Sequence, residues 1–264
     1  MLRARASPIA AADHTAGQTA AMGRSDDAFG RALADWARGG TSPEFIERED
    51  GLVEQGAGHE IYLAEFARWP AVERRAVRLA RGRVLDVGCA AGRVALHLQG
   101  RGHDVVGLDA SPRAVTTARA RGLERVWCMP VDALGARIDA FDTVVLFGNN
   151  VGIFGTPERL RRGLARWARA MPAGGRILAE STNPYCGGAP AMDRRYYGAN
   201  RARGRLPGQA RLRVRYDRWV TPWFAWLFLS RRELAAVVRG TGWRTADIVG
   251  GAPGEPYVAV LEKH

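Results

Sequence analysis

The sequence predicts an α/β protein: a doubly wound, seven-stranded, mostly parallel sheet with an N-terminal helical cap and an inserted β-hairpin. Three observations predict it. Short valine-rich runs at 84–87, 105–108 and 141–147 alternate with segments of helical spacing. A glycine turn, Gly88 to Gly92, joins the first run to a helix. The second run ends in an acid, Asp109, at the carboxyl end of its strand, where sheets of this class bind ligands.

The turn is the most informative stretch. It follows a strand carrying Val84, Leu85 and Val87 and opens a helix over 93–99, so backbone N–H groups and a positive helix end approach a ligand. Asp109 comes 21 residues after Gly88 and is placed to accept both hydroxyls of a ribose. Dinucleotide sites ask for glycine at the first, third and sixth turn positions, which here hold Gly88, Ala90 and Arg93. The pattern is instead Asp86-x-Gly88-x-Ala90-x-Gly92. It closely resembles motif I of the class I S-adenosylmethionine-dependent methyltransferases, with Ala90 standing where the family has its middle glycine. A Cβ there narrows the backbone choices of the loop.

That resemblance is strongest over 82–150 and weakest over 182–229. It implies the class I methyltransferase fold, S-adenosyl-L-methionine as cofactor and S-adenosyl-L-homocysteine as product; no metal is expected, because the fourth-strand tip offers Asn149 and Asn150 rather than carboxylates. It implies a cofactor site made of Asp86, Gly88, Cys89, Ala90, Gly92, Arg93, Asp109 and Ala110. Asp132 and Ala133 would meet the adenine amine, and Phe147, Gly148 and Asn149 would lie near the sulfonium. The acids at 86, 109 and 132 are expected to gather around one adenosyl group.

At 264 residues the chain is long enough for one α/β domain with a cap. Its 47% hydrophobic and 25% charged content is ordinary for a globular protein. No apolar run approaches the roughly 20 residues of a membrane span. The net charge is +12, but of 39 basic residues only Lys263 is a lysine. This is an arginine bias spread along the chain rather than a nucleic-acid patch, so nucleic acid is not the expected partner. Cys89, Cys128 and Cys186 lie far apart, with neither a disulfide framework nor a zinc spacing. They predict a reduced, cytoplasmic protein.

Taken in order, residues 1–24 are rich in Ala, Arg, Ser and Thr and predict a disordered extension, with Met22 as an alternative start. Residues 25–81 form the cap and lead-in. Ser25 or Asp26 caps a helix with Phe29, Leu33 and Trp36 on one face. Asp50-Gly51 turns between two short extended pieces, and Pro70 starts a helix through Val77 and Leu79. In many small-molecule members of the family this segment is a lid, which makes His59, Tyr62 and Phe66 pocket candidates and His59 the candidate base. Tyr62 and Phe66 can equally pack the cap onto the core.

Residues 82–264 form the cofactor-binding catalytic unit. Ser111-Pro112 opens a helix, 126–131 is a strand, and the run at 141–147 leads into Gly148-Asn149-Asn150. Asn149 and Asn150 are candidate catalytic residues, Asn150 also an acceptor contact, or plain turn formers. Thr156-Pro157 opens a helix with Leu160, Leu164, Trp167 and Met171 inward and Arg159, Arg162, Arg166 and Arg169 outward. After a strand at 175–180 comes an acceptor-site insertion, 182–229, with a mobile loop over 186–208 and then a hairpin. Leu212, Val214 and Tyr216 alternate with Arg211, Arg213 and Arg215 in its first strand. Tyr185, Tyr196, Tyr197 and Trp223 are candidate acceptor contacts. Ser230-x-x-Glu233 is a capping box, and 242–248 and 257–261 close the sheet.

The resemblance then implies methyl transfer to an O, N or C atom of a small, aromatic or partly apolar organic acceptor. A sulfonium is already a good leaving group, so alignment dominates and a base is optional. The alternatives are a nucleic-acid methyltransferase, favoured by the net charge, and a non-catalytic methyltransferase-like binding protein, favoured by Ala90.

Overall fold

The computed structural model describes residues 23, 26–185, 191–252 and 255–264. The expectations for 1–22, for Ser25 and for 186–190 with Cys186 lie outside the described residues. Helix α1 (Ala28–Trp36) is followed by strands β1 (Phe45–Arg48) and β2 (Val53–Gln55) and the short helices α2 (His59–Tyr62) and α3 (Ala71–Ala76). Strands and helices then alternate through β3 (Val84–Val87), α4 (Arg93–Gly100), β4 (Val105–Asp109), α5 (Pro112–Ala120) and β5 (Val126–Cys128). After β6 (Thr143–Leu146), α6 (Pro157–Ala170) and β7 (Arg176–Thr182) come α7 (Ala191–Ala202), β8 (Gln209–Tyr216), β9 (Trp219–Val220) and β10 (Phe224–Leu227). Helix α8 (Arg231–Val238) and strands β11 (Trp243–Gly250) and β12 (Pro256–Lys263) close the chain.

Seven strands form one sheet in the order β11-β12-β7-β6-β3-β4-β5. The strands β3 to β7 run parallel, while β12 and β11 add antiparallel at the β7 edge. Every residue of β3 and β6 is buried, because helices cover both faces of a parallel sheet. The strand order reverses between these two strands. Helix α1 is anchored beside them by Asp27, not Asp26. Its buried carboxylate accepts the Gly30 N–H at 2.8 Å, the Ser111 hydroxyl at 2.7 Å and the Arg113 N–H at 3.2 Å. One side chain thus caps α1 and ties it to the start of α5.

A second, antiparallel sheet has the order β10-β8-β1-β2, with β9 beside β8. At its centre Ile46 faces Val214 and Glu47 faces Arg213. Glu47 accepts from Arg213 at 2.7 and 2.8 Å and also from Arg215, and these guanidiniums pull its carboxyl down to about 2. The N-terminal cap is therefore not only helical. The inserted hairpin is also not freestanding: β1 satisfies the edge of β8 that an isolated hairpin would leave open.

Three other expectations change. Residues 191–202 form a helix, not a mobile loop. Gly198 and the scarcity of apolar residues hide its periodicity, and side chains hold it in place. Tyr196 and Asn200 are buried, and Asn200 Nδ2 donates to the carbonyls of Pro207 and Gln209 at 2.9 and 2.8 Å. The arginine face of α6 is only partly wet, since Arg159 pairs with Asp132 and Arg166 donates to the Asp132 carbonyl at 3.3 Å, while Arg162 and Arg169 are exposed. The strand placed at 126–131 stops at Cys128, and two 3-10 turns kinked at Gly135 occupy Val131–Ala140.

Arg48 clasps the second sheet to α7. It is 8% exposed, donates to Asp193 at 2.5 Å and Asp50 at 2.8 Å, and stacks on Tyr196 at 4.2 Å. Replacing Arg48→Ala strands two carboxylates and should cost about 2 kcal/mol. The expected readout is a lower urea midpoint with faster tryptic cleavage after Arg194 or Arg195; an unchanged midpoint would show the clasp to be idle.

Candidate active site

A cavity of about 330 Å³ opens at the carboxyl ends of β3, β4 and β6, beneath the second sheet. This is the point of strand-order reversal, where open α/β sheets bind ligands. Its floor is the glycine turn after β3, Asp109 to Ser111 after β4, and Phe147 to Asn150 after β6, with Met129 and Val131 at one edge. Its roof is the inner face of the second sheet: Ile46, Leu212, Val214, Phe224, Trp226 and then Phe228. Phe29 of α1 and Tyr62 of α2 form a side wall.

The neighbouring strand holds the glycine turn. The Gly88 and Cys89 N–H groups donate to the Leu108 carbonyl at 2.7 and 3.1 Å, and the Ala90 N–H donates to Asp109 Oδ2 at 2.9 Å. These amides are engaged by the scaffold rather than offered to a ligand. Gly88 and Gly92 have φ of +72° and +81°, and Ala90 has φ of +50°. Ala90 therefore adopts the left-handed conformation a glycine would take freely, at a cost of about 1 kcal/mol. The loop follows a glycine path in spite of the side chain. Gly88 also admits Asn150, whose Nδ2 donates to the carbonyls of Val87 and Gly88 at 2.8 and 3.0 Å. Beside it Asn149 Oδ1 accepts the Thr182 hydroxyl at 2.7 Å.

Asp109 presents a half-buried carboxylate to the cavity. Its Oδ1 accepts the Ser111 N–H at 2.8 Å, and burial drives the group up to about 6 against the Ser111 and Ala90 donors. Asp86 also lines the cavity, but its Oδ2 accepts the Ala95 N–H at 3.1 Å and so caps α4. Burial lifts Asp86 to about 7, with Arg93 opposing the rise.

The other expected cofactor positions divide. Cys89, Ala90, Arg93, Ala110, Phe147, Gly148 and Asn149 line the cavity. Gly92 stands one step behind as the left-handed N-cap of α4. Asp132 and Ala133 are not part of the wall: Arg159 draws the Asp132 carboxylate to α6, and Met129 and Val131 occupy that edge. Two of the three acids, not three, share the cavity.

Most expected acceptor contacts lie elsewhere. His59 rests against Trp36 with ring centroids 6.5 Å apart, and Phe66 stacks on His97 at 4.2 Å. Tyr185 is 41% exposed and bonds Glu233. Tyr196 donates to Glu49 at 3.0 Å, Tyr197 packs on Tyr196 at 6.4 Å, and Trp223 lies under Arg213 at 4.4 Å. Of the expected aromatic contacts only Tyr62 lines the cavity, stacked on Trp36 at 5.9 Å. The missed roof residues carried a signal, since 212 and 214 alternate plainly. The aromatic phase in the next run is 224, 226 and 228, one residue away from Trp223.

Fold and site together define a doubly wound domain with a cavity at the carboxyl ends of its central strands under an apolar roof. Residues 84–175 match the family model described as a methyltransferase domain. A 2-heptyl-1-hydroxyquinolin-4(1H)-one methyltransferase of Mycobacteroides abscessus is 34% identical over 94 residues, 36% of this chain and 30% of that protein. The chain thus matches less than a third of that relative's length. A SAM-dependent methyltransferase from Bacteroides fragilis, in complex with S-adenosyl-L-homocysteine, gives a TM-score of 0.76 at 23% identity, covering 93% of this chain and 98% of that one. One from Methanosarcina mazei gives 0.53 at 16% identity, covering 69% and 92%. The fold is that of the class I methyltransferases. Among the described residues no helix is long and apolar enough to cross a membrane, and no cluster of His, Cys, Asp or Glu could hold a metal ion.

Behind the loop lies a buried carboxylate cluster that sequence reading missed. Arg93 clasps Glu73 through both terminal nitrogens at 2.5 and 2.9 Å and stacks on Trp69 at 4.5 Å. Glu180 Oε2 accepts the Gly148 N–H at 3.0 Å, and burial together with the Glu73 carboxylate holds Glu180 well above the usual range. Folded Glu180 therefore keeps a proton that the unfolded chain loses, so its stabilising contribution is complete below the ordinary value of 4.5 and disappears as pH rises through its folded pKa. Glu180→Gln keeps the acceptor for Gly148 without the charge. It should flatten the decline of melting temperature between about pH 5 and about pH 8 and raise it at the alkaline end. A profile parallel to the unsubstituted protein's would mean that Glu180 is ionised when folded.

Proposed function

We propose that the protein transfers a methyl group from S-adenosyl-L-methionine to an oxygen, nitrogen or carbon atom of a small, flat, partly apolar organic acceptor. The observation that carries this reading is the two-sided cavity: glycine turn and Asp109 on the floor, an apolar sheet face as the roof. Asp109 fits the cofactor because each of its oxygens accepts one amide N–H and keeps a lone pair for a ribose hydroxyl. The cofactor supplies a methyl group on a positively charged sulfur that leaves readily. The glycine turn from Gly88 to Ala90, its N–H groups already engaged by the scaffold, would flank the methionyl side by close backbone approach, while Asn149 and Asn150 meet the acceptor.

The protein's own contribution is alignment and exclusion of water. His59, expected as a base, lies outside the cavity wall. The reading therefore assigns proton removal to solvent, or takes the nucleophile as a neutral amine or an already ionised oxygen. The roof sheet covers the cavity and favours a small molecule over nucleic acid. The left-handed Ala90, which preserves the loop path, supports catalysis over a purely structural descendant of the fold. The relative named for a hydroxyquinolinone supports a flat heteroaromatic acceptor.

Calorimetric titration with S-adenosyl-L-homocysteine tests the cofactor half, and transfer of labelled methyl to planar hydroxy- and amino-heteroaromatics tests the acceptor half. Asp109→Asn should weaken homocysteine-product binding by about tenfold to a hundredfold, the loss expected for hydrogen bonds to a charged group. No binding by the unsubstituted protein would sink the proposal.

A further inference from the structure

We propose that Trp226, seated on Gly152, is the end wall that limits acceptors to planar molecules of one or two fused rings. This rests on the methyl-transfer reading above. Trp226 descends from β10 into the cavity and reaches the turn that follows Asn149 and Asn150. A Cβ built on Gly152 would lie 2.3 Å from the Trp226 Nε1 and 2.4 Å from its Cε2, so the edge of the indole rests directly on the glycine. Gly152 is absent from the positive-φ glycines, so its backbone does not require glycine. The indole does.

Two further contacts make this wall rigid. A Cβ on Gly155 would lie 2.8 Å from the Ala225 Cβ, so the backbone of β10 is pressed onto the same turn. Phe224 meets the Trp226 ring edge to face at 6.0 Å and 70°, which fixes it from the roof side. Roof and floor therefore meet at Trp226 and close that end of the cavity. The whole space is about 330 Å³, at the small end of ligand sites, and the cofactor shares it.

The two sides of this contact predict opposite shifts. Gly152→Ala drives the indole into the cavity and should shorten it, while Trp226→Ala removes the wall and should lengthen it. The test measures binding of one-, two- and three-ring planar hydroxy-heteroaromatics by calorimetry with S-adenosyl-L-homocysteine already bound. Trp226→Phe serves as the conservative variant, and an unchanged far-ultraviolet circular dichroism spectrum with a cooperative thermal melt certifies folding.

The unsubstituted protein should prefer one and two rings over three by at least about tenfold, the scale on which a tight apolar pocket discriminates. Gly152→Ala should lose two-ring binding selectively. Trp226→Ala should gain three-ring binding, with Trp226→Phe in between, and these variants decide the matter should Gly152→Ala not fold. Equal effects on all ring sizes, or shifts in the same direction on both sides of the contact, would overturn the assignment. Binding of the homocysteine product without any planar probe overturns it too and leaves the cofactor reading intact. Failure to bind the product at all defeats both.

Discussion

The site depends on one pairing, that of β1 with β8. Strand residues near 46 and 214 meet in antiparallel register and draw a second sheet across the carboxyl ends of the parallel strands. Without it the glycine turn, Asp109 and the Asn149–Asn150 turn would face open water. With it, Ile46, Leu212 and Val214 become a ceiling, and the outer face is fastened by the Glu47 carboxylate between Arg213 and Arg215. These half-buried ion pairs help to set the register, because sliding β8 by one residue would exchange its apolar and arginine faces.

The parts legible in the sequence were those whose chemistry is local. The turn from Gly88 to Gly92 announces itself by spacing, Ser111-Pro112 and Ser230-x-x-Glu233 by capping chemistry, and the parallel strands by their valine runs. The differences at the site involve partners distant in the chain. Asp132 had the right position for an adenine contact, but Arg159 on α6 claims it. His59 and Phe66 had the right segment, but Trp36 and His97 offered aromatic surfaces to pack on. Helix α7 was hidden because its order comes from Arg48, some 145 positions away, rather than from its own periodicity.

The floor also stores opposing forces. Glu73, Asp86 and Glu180 are each at most 3% exposed and crowd one guanidinium, Arg93. Such burial is costly unless every oxygen finds a donor or a proton. The bidentate clasp serves both oxygens of Glu73, while the Ala95 N–H and the Gly148 N–H serve one oxygen each of Asp86 and Glu180, two acids that burial pushes toward their protonated forms. The same contacts stiffen the backbone from which the Asn149–Asn150 turn departs.

The ceiling is encoded on both sides of the segment that carries the methyltransferase-domain match. On a ribosome, residues 84–175 emerge and can begin to form their sheet long before residue 227 is made, while residues 45–55 wait for a strand that does not yet exist. On the proposed reading, acceptor choice is therefore a late-assembled property of this chain. A reshaping of the ceiling would require matched alterations in two stretches separated by the whole of residues 84–175.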